Sequence, residues 1–297
     1  MNEEGYCRSS FIVHLCRENI MHVGILTAPL RTKPLAELIP WAAQQGIRAL
    51  EIDVRAGSNL PALTVDDAAL EQLQGLLSAH KLRISSLACY AQLTGVTAEQ
   101  AAQNRKEIEA AIKLAVKLGV GTVCTLAGFP TPGKNKAKTI AEDLPGAMRP
   151  VLDLAGQQGI KLALENWYAT NIQHLDHWRG VFDALPDAHL GLNFDPSHLD
   201  WQGIDVNAAV HEFRERIFHV HAKDVSVDLA KLKRVGYNGD GWWRYTLPGY
   251  GRPRWGDFIS ALRKIGYDDV LSIEHEDSAF PAEEGFVKAA RYLNTLV

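Results

Sequence analysis

The chain has 297 residues, 46% of them hydrophobic and 22% charged, with a formal net charge of −4. That is length enough for one large core, since α/β barrels of roughly 250 residues or more form a single domain. The acidic balance argues against a basic face for nucleic acid or an anionic membrane. No apolar run approaches the roughly 20 residues that cross a bilayer.

Residues 1–20 mix charges with short apolar patches and lack the long apolar stretch of a signal peptide. They are expected to be an appendage or an overlong start, with one domain spanning 21–297. Cys7, Cys16, Cys89 and Cys124 form no CxxC pair, which suits reduced thiols in a cytoplasmic protein.

From Met21 onward short apolar strands alternate with helical stretches. The predicted strands are His22–Leu26, Ala49–Val54, Arg83–Ala88, Val120–Leu126, Lys161–Glu165, Leu190–Asp195, Ile217–His221 and Val270–Glu274. Three follow a glycine that closes a helix, at Gly46, Gly119 and Gly159. Ala101–Leu118 sets Ile108, Ile112, Ala115 and Leu118 at helical spacing, with Arg105, Lys106 and Glu109 off that face. Pro40, Pro145 and Pro150 interrupt segments that otherwise read as helical. Between the seventh strand and a helix near Phe258–Ile265 lies a long aromatic loop, about 225–255, rich in Trp242, Trp243, Tyr245, Tyr250 and Trp255. Its aromatics with Arg244, Arg252 and Arg254 suit a sugar and an anionic or hydroxyl-rich group; a hydrophobic plug is the alternative. Eight strands alternating with helices allow a closed (β/α)8 barrel or an open doubly wound sheet. The first strand is followed by no glycine-rich phosphate loop, which favours the barrel.

The chemistry is carried by the alternation within the last four strands. Buried parallel strands should be apolar on both faces. Here one face is apolar, while the other carries small or polar residues and ends in Glu165, Asp195, His221 and Glu274. Inside a barrel these tips converge at the C-terminal mouth, where barrel enzymes place their chemistry. Three carboxylates there would be forced to take up protons, a conflict that one divalent cation removes. The oxygen-rich set favours Mn²⁺, with Mg²⁺, Co²⁺ and Zn²⁺ as alternatives. His198, turned back by Pro196, reads as a substrate or metal contact. Asn166 and Trp167 are expected on the rim, and Lys223 and Asp224 read equally as solvated loop or as substrate contacts. Glu51 and Asp53 are expected in structural or supporting roles, His219 as a core histidine, and His275, Glu276 and Asp277 as loop residues.

At Glu165-Asn166, Asn193-Phe-Asp-Pro-Ser-His198, His219-Val-His-Ala-Lys-Asp224 and Ser272-Ile-Glu-His275 the sequence resembles the xylose isomerase-like superfamily of TIM barrels. That group includes ketose 3-epimerases, hydroxypyruvate isomerase, inosose dehydratase and endonuclease IV. The resemblance implies a metal held by Glu165, Asp195, His221 and Glu274, with Glu165 and Glu274 as catalytic base and acid and His198 on a substrate oxygen. It further implies a small sugar as partner and a homodimer or homotetramer. The activity expected is an isomerase or epimerase acting on a keto sugar, sugar phosphate or keto-glycoside through a metal-stabilised enediolate. An inosose-type dehydratase is the alternative. Strands three and four end without histidine, which disfavours a zinc-dependent endonuclease. Trp243, Arg244 and Arg254 are expected to grip the substrate from the aromatic loop.

Overall fold

Each segment predicted as a strand is a strand in the structure, a computed structural model that describes residues 21–297; the expectation for residues 1–20 lies outside them. The strands are β1 (His22–Leu26), β2 (Ala49–Asp53), β3 (Arg83–Ala88), β4 (Thr122–Leu126), β5 (Lys161–Glu165), β6 (Leu190–Phe194) and β7 (Ile217–Ala222). Two short strands follow, β8 (Asp224–Val227) and β9 (Trp243–Thr246), and then β10 (Val270–Ile273). β8 and β9 form a separate antiparallel pair, while the other eight close into a barrel in the order β1-β10-β7-β6-β5-β4-β3-β2. Every neighbouring pair in the barrel is parallel.

Closure follows from the sequence of the strands. β2, β4 and β6 are buried at every residue, as only a sheet covered on both faces allows. Helices supply the outer cover. The helix Ala98–Leu118 buries Ile108, Ile112 and Ala115 fully, and is entered through a capping box in which Thr97 and Gln100 satisfy each other's backbone N–H groups. It ends at Gly119, whose φ of +67° is the left-handed conformation that glycine takes without steric penalty. Pro145 sits in the first turn of the helix Leu144–Gln157, where a missing N–H has no partner to lose. Pro40 and Pro150 lie inside helices that continue past them.

Register decides how the site is layered. Ser272 of β10 is level with His221 of β7, so Glu274 stands one inward position higher, about 6.6 Å along the strand. Glu165 of β5 is level with Asn193 of β6, which sets Asp195 above it. The aromatic segment is more ordered than its composition suggests. β8 pairs with β9 so that Val225 faces Tyr245 and Val227 faces Trp243, and a short helix, Leu229–Val235, lies between the two strands. The described helices include none long and apolar enough to cross a membrane.

Candidate active site

Glu165, Asp195, His221 and Glu274 each present one ligand atom, and these atoms all lie within 4.8 Å of one another. His221 Nδ1 is 3.1 Å from Glu274 Oε2 and 3.7 Å from Glu165 Oε1. His221 Nδ1 and Asp195 Oδ2 are buried and make no hydrogen bond of good geometry among the described residues, although Glu274 Oε2 and Lys223 Nζ respectively stand 3.1 Å away. Buried polar atoms without a well-formed hydrogen bond are rare and call for an explanation. Here both belong to a set of one imidazole and three carboxylates, the donor chemistry of a divalent cation. The residues present therefore fit such an ion.

The supporting layer fixes which imidazole nitrogen is available. Glu51, fully buried on β2, lies 3.0 Å from His221 Nε2 and also accepts from Tyr90 Oη at 2.5 Å and Ser272 Oγ at 2.8 Å. Burial pushes its carboxyl up, but the charges of His221 and His219 outweigh this and bring it down to about 2. An ionised Glu51 keeps the proton of His221 on Nε2 and turns Nδ1 toward the carboxylates. Glu51, His219 and His221 also lie within ligand distance of one another. His219, however, already uses Nδ1 on Asn193 Oδ1 at 3.0 Å and Nε2 near Ser85 and Ser86, so this group braces the site from below.

Above the quartet, Lys223 is almost fully buried, with Nζ 2.6 Å from Glu274 Oε2, 3.1 Å from Asp195 Oδ2 and 3.2 Å from Glu276 Oε2. Burial opposes its charge, but the carboxylates around it hold the ammonium well above its ordinary range, so it stays protonated. Burial likewise opposes ionisation of Glu165 and Glu274, yet His198, His221 and Lys223 hold Glu165 well below the usual range and Lys223 and His221 hold Glu274 at about 2. His198 Nε2 lies 3.4 Å from Glu165 Oε1 and 3.3 Å from Lys223 Nζ, while its Nδ1 meets Tyr245 Oη at 2.9 Å. A cavity of about 190 Å³ opens over these groups, walled also by Tyr90, Leu126, Trp167 and Glu276.

A profile of the xylose isomerase-like TIM barrel matches residues 39–296, most of the chain. The chain belongs to that family. Protein YfiH of Bacillus subtilis (strain 168), which carries no assigned activity, is 25% identical over 301 residues, 89% of this chain and 96% of its own length. An inosose dehydratase of Clostridium perfringens is 26% identical over 162 residues, 52% of this chain and 53% of that enzyme, so the match spans about half of each. Among solved structures, the IOLI protein with a bound zinc atom superposes with a TM-score of 0.73 at 20% identity, covering 93% of this chain and 97% of that one. The 3-keto-D-glucoside 4-epimerase YcjR of E. coli does so at 0.72 and 16% identity, covering 93% and 99%.

Within this xylose isomerase-like barrel the expected contacts divide sharply. Trp167, His198 and Lys223 line the cavity with Glu165 and Glu274 of the quartet. Asn166 is fully buried and not on the rim. Its Nδ2 donates to Asp195 O at 2.9 Å and its Oδ1 accepts from Asp195 N at 2.7 Å, which clamps the end of β6 to β5. Asp224 turns away into the base of the aromatic segment, accepting from Gly249 N at 3.0 Å, Gly251 N at 3.2 Å and Trp255 Nε1 at 3.2 Å. Arg244 pairs with Asp277 on the outer side of β9, and Arg254 is 84% exposed beside Asp257; neither reaches the cavity. Trp243 stacks on Trp201 at 4.5 Å and meets Tyr168 edge-on, forming an aromatic wall next to Tyr245, while Trp242 and Trp255 of the same segment are buried.

Tyr90, Tyr168 and Trp201 are residues that sequence reasoning passed over, and Glu276, expected as a loop residue, instead lines the cavity. For Tyr90 and Glu276 the signal was present. Each lies two residues beyond a strand-end position of inward parity, as Trp167 and Lys223 do, and so continues the same alternation into the next layer. Nothing in local spacing marks Tyr168 or Trp201.

Proposed function

We propose that the protein is a divalent-metal-dependent isomerase or epimerase of a keto sugar or keto-glycoside. The observation that carries this reading is the pair Glu165 and Glu274: two ionised carboxylates on strands at different sides of one small cavity, sharing one imidazole between them. A cation held by Glu165, Asp195, His221 and Glu274 would polarise a substrate carbonyl and acidify the adjoining C–H bond. Mn²⁺ suits the oxygen-rich donors best. Glu165, already ionised, accepts the proton on its face. On the other face Glu274, oriented by Lys223 Nζ at 2.6 Å, would give carbon a proton it has taken from solvent, while Glu165 releases its own to solvent and Lys223 stays protonated. His198 Nε2 holds a substrate oxygen, and Trp167 and Leu126 keep bulk water from the reacting carbon.

A second reading, dehydration, is favoured by one feature, the extra acid Glu276 beside Lys223. Loss of a β-hydroxyl needs a proton donor at the leaving oxygen, and the likeness to inosose dehydratase points the same way. Incubating the Mn²⁺-loaded protein in D₂O with a panel of keto sugars, 3-keto-glycosides and inososes separates these readings. Deuterium at the carbon beside the carbonyl with epimer or isomer formation supports the first; an absorbing unsaturated ketone supports the second. Glu165→Gln and Glu274→Gln should each lower turnover by at least roughly 10²-fold. Near-wild-type turnover in either variant overturns the two-carboxylate mechanism.

A further inference from the structure

Two cavities divide the mouth of the barrel. The one over the quartet is walled from the ends of β3, β4, β5, β6, β7 and β10. The other, about 430 Å³, is walled by Ala28 and Arg31 beyond β1, Asp53, Arg55 and Ala56 beyond β2, and Tyr90 beyond β3. Together they take in all eight strands, and Tyr90 belongs to both. At about 190 Å³ the inner cavity is smaller than the roughly 300–1,000 Å³ usual for a small-molecule site, whereas the two together fall within that range.

The chemistry of the outer cavity is mixed. Arg55 is committed to the protein: Nε to Glu107 at 2.7 Å, Nη1 to Tyr90 O at 2.9 Å and Nη2 to Asn104 Oδ1 at 3.3 Å. Arg31 is different. Its side chain is 57% exposed, and its Nη2 stands 3.7 Å from Asp53 Oδ2, too far for a tight bond. Asp53 has Oδ1 engaged by Arg55 N at 3.2 Å, leaving Oδ2 toward the cavity. A guanidinium donor and a carboxylate acceptor side by side, flanked by a tyrosine ring, match a group bearing several hydroxyls, each of which both donates and accepts. A phosphate or carboxylate would be repelled by Asp53.

We infer that the cavity between Arg31, Asp53 and Tyr90 is a second subsite, which holds a further polyhydroxylated unit joined to the one that reacts over the quartet. The substrate is then a two-unit glycoside, with Arg31 and Asp53 as specificity determinants. This rests on the sugar-processing reading above, but its test measures binding and not turnover. The Mn²⁺-loaded protein is titrated by calorimetry with glucose, maltose, cellobiose, trehalose and inorganic phosphate, in the wild type and in Arg31→Ala and Asp53→Asn, with thermal melts to verify folding. At least one disaccharide should bind the wild type roughly tenfold more tightly than glucose, the value of about one added hydrogen bond or two. In both variants that ratio should shrink to less than roughly threefold. Equal affinities in the wild type, or a ratio that survives both substitutions, overturn the inference. So does phosphate binding that Arg31→Ala abolishes, which would make the cavity an anion site. Failure of the D₂O experiment with the disaccharide ratio intact would sink the reaction and leave the subsite standing.

Discussion

Glu51→Gln is the change that tests the layer beneath the metal-type quartet. Glu51 accepts three hydrogen bonds, from Tyr90, His221 and Ser272, and is fully buried. Lowering its carboxyl from the usual 4.5 to about 2 favours the ionised form by about 3 kcal/mol. Glutamine keeps the shape but turns an N–H₂ donor toward groups that also donate. At least one buried partner is then left unpaired, at about 1–3 kcal/mol. The larger effect is on His221, which loses the anion that fixes its proton on Nε2 and makes Nδ1 basic. Loss of such a partner lowers metal affinity by roughly 10–100-fold. The assay is Mn²⁺ titration against a fluorescent chelator, paired with a thermal melt. Affinity within roughly threefold of wild type, far short of that loss, would refute the claim that Glu51 sets the imidazole. The pH dependence has a definite sign. Glu51 is depressed in the fold, so its contribution is present above about 4.5 and is lost as pH falls toward about 2. The stability gap between wild type and variant should close over that interval.

Burial opposes protonation of His221, but Glu51 and Glu274 outweigh it and keep its pKa well above the ordinary value, so cation binding must release a proton. Calorimetry in buffers of different ionisation enthalpy should report about one proton lost per ion, and Mn²⁺ affinity should rise with pH; a pH-independent affinity would contradict this. Asp224→Asn replaces an acceptor of four N–H groups with one that also donates, so amides from Trp243 to Trp255 should lose roughly 2–3 kcal/mol of hydrogen-exchange protection. Unchanged protection would mean that Asp224 does not anchor the segment. Trp243→Ala removes the ring stacked on Trp201 and should mainly raise KM, with kcat changed less; a fall in melting temperature with KM unchanged would make the aromatic wall purely structural.

The barrel and its quartet were legible because both follow from alternation. A residue of inward parity in a buried parallel strand has nowhere to go but the barrel interior, so a polar residue there declares itself. The same rule, carried two residues past the strand ends, reaches Tyr90, Trp167, Lys223 and Glu276. It stops working once the backbone leaves the strand: Asn166 and Asp224 sit next to inward residues and therefore point elsewhere, one to Asp195 and the other to Gly249 and Trp255. The hairpin of β8 and β9 was the harder case. Trp243-Arg-Tyr-Thr246 does alternate, with Tyr245 toward His198 and Arg244 toward Asp277. Four residues are too short a run to separate from loop, and the pairing partner lies across an intervening helix. The roles of Tyr168 and Trp201 depend on contacts between loops, which no local pattern encodes.

The tie between Glu51 and His221 spans 170 residues of sequence, and that between Glu51 and Ser272 spans 221. Contacts of such separation form late, after most of the loop-closure entropy has been overcome. The imidazole can thus be set in its ligand orientation only once β2 has met β7 and β10, that is, once the ring of strands has shut. A chain in which β5, β6, β7 and β10 have met without β2 would hold the four tips but not the brace beneath them. Tight binding of the proposed cation would therefore report that folding has finished.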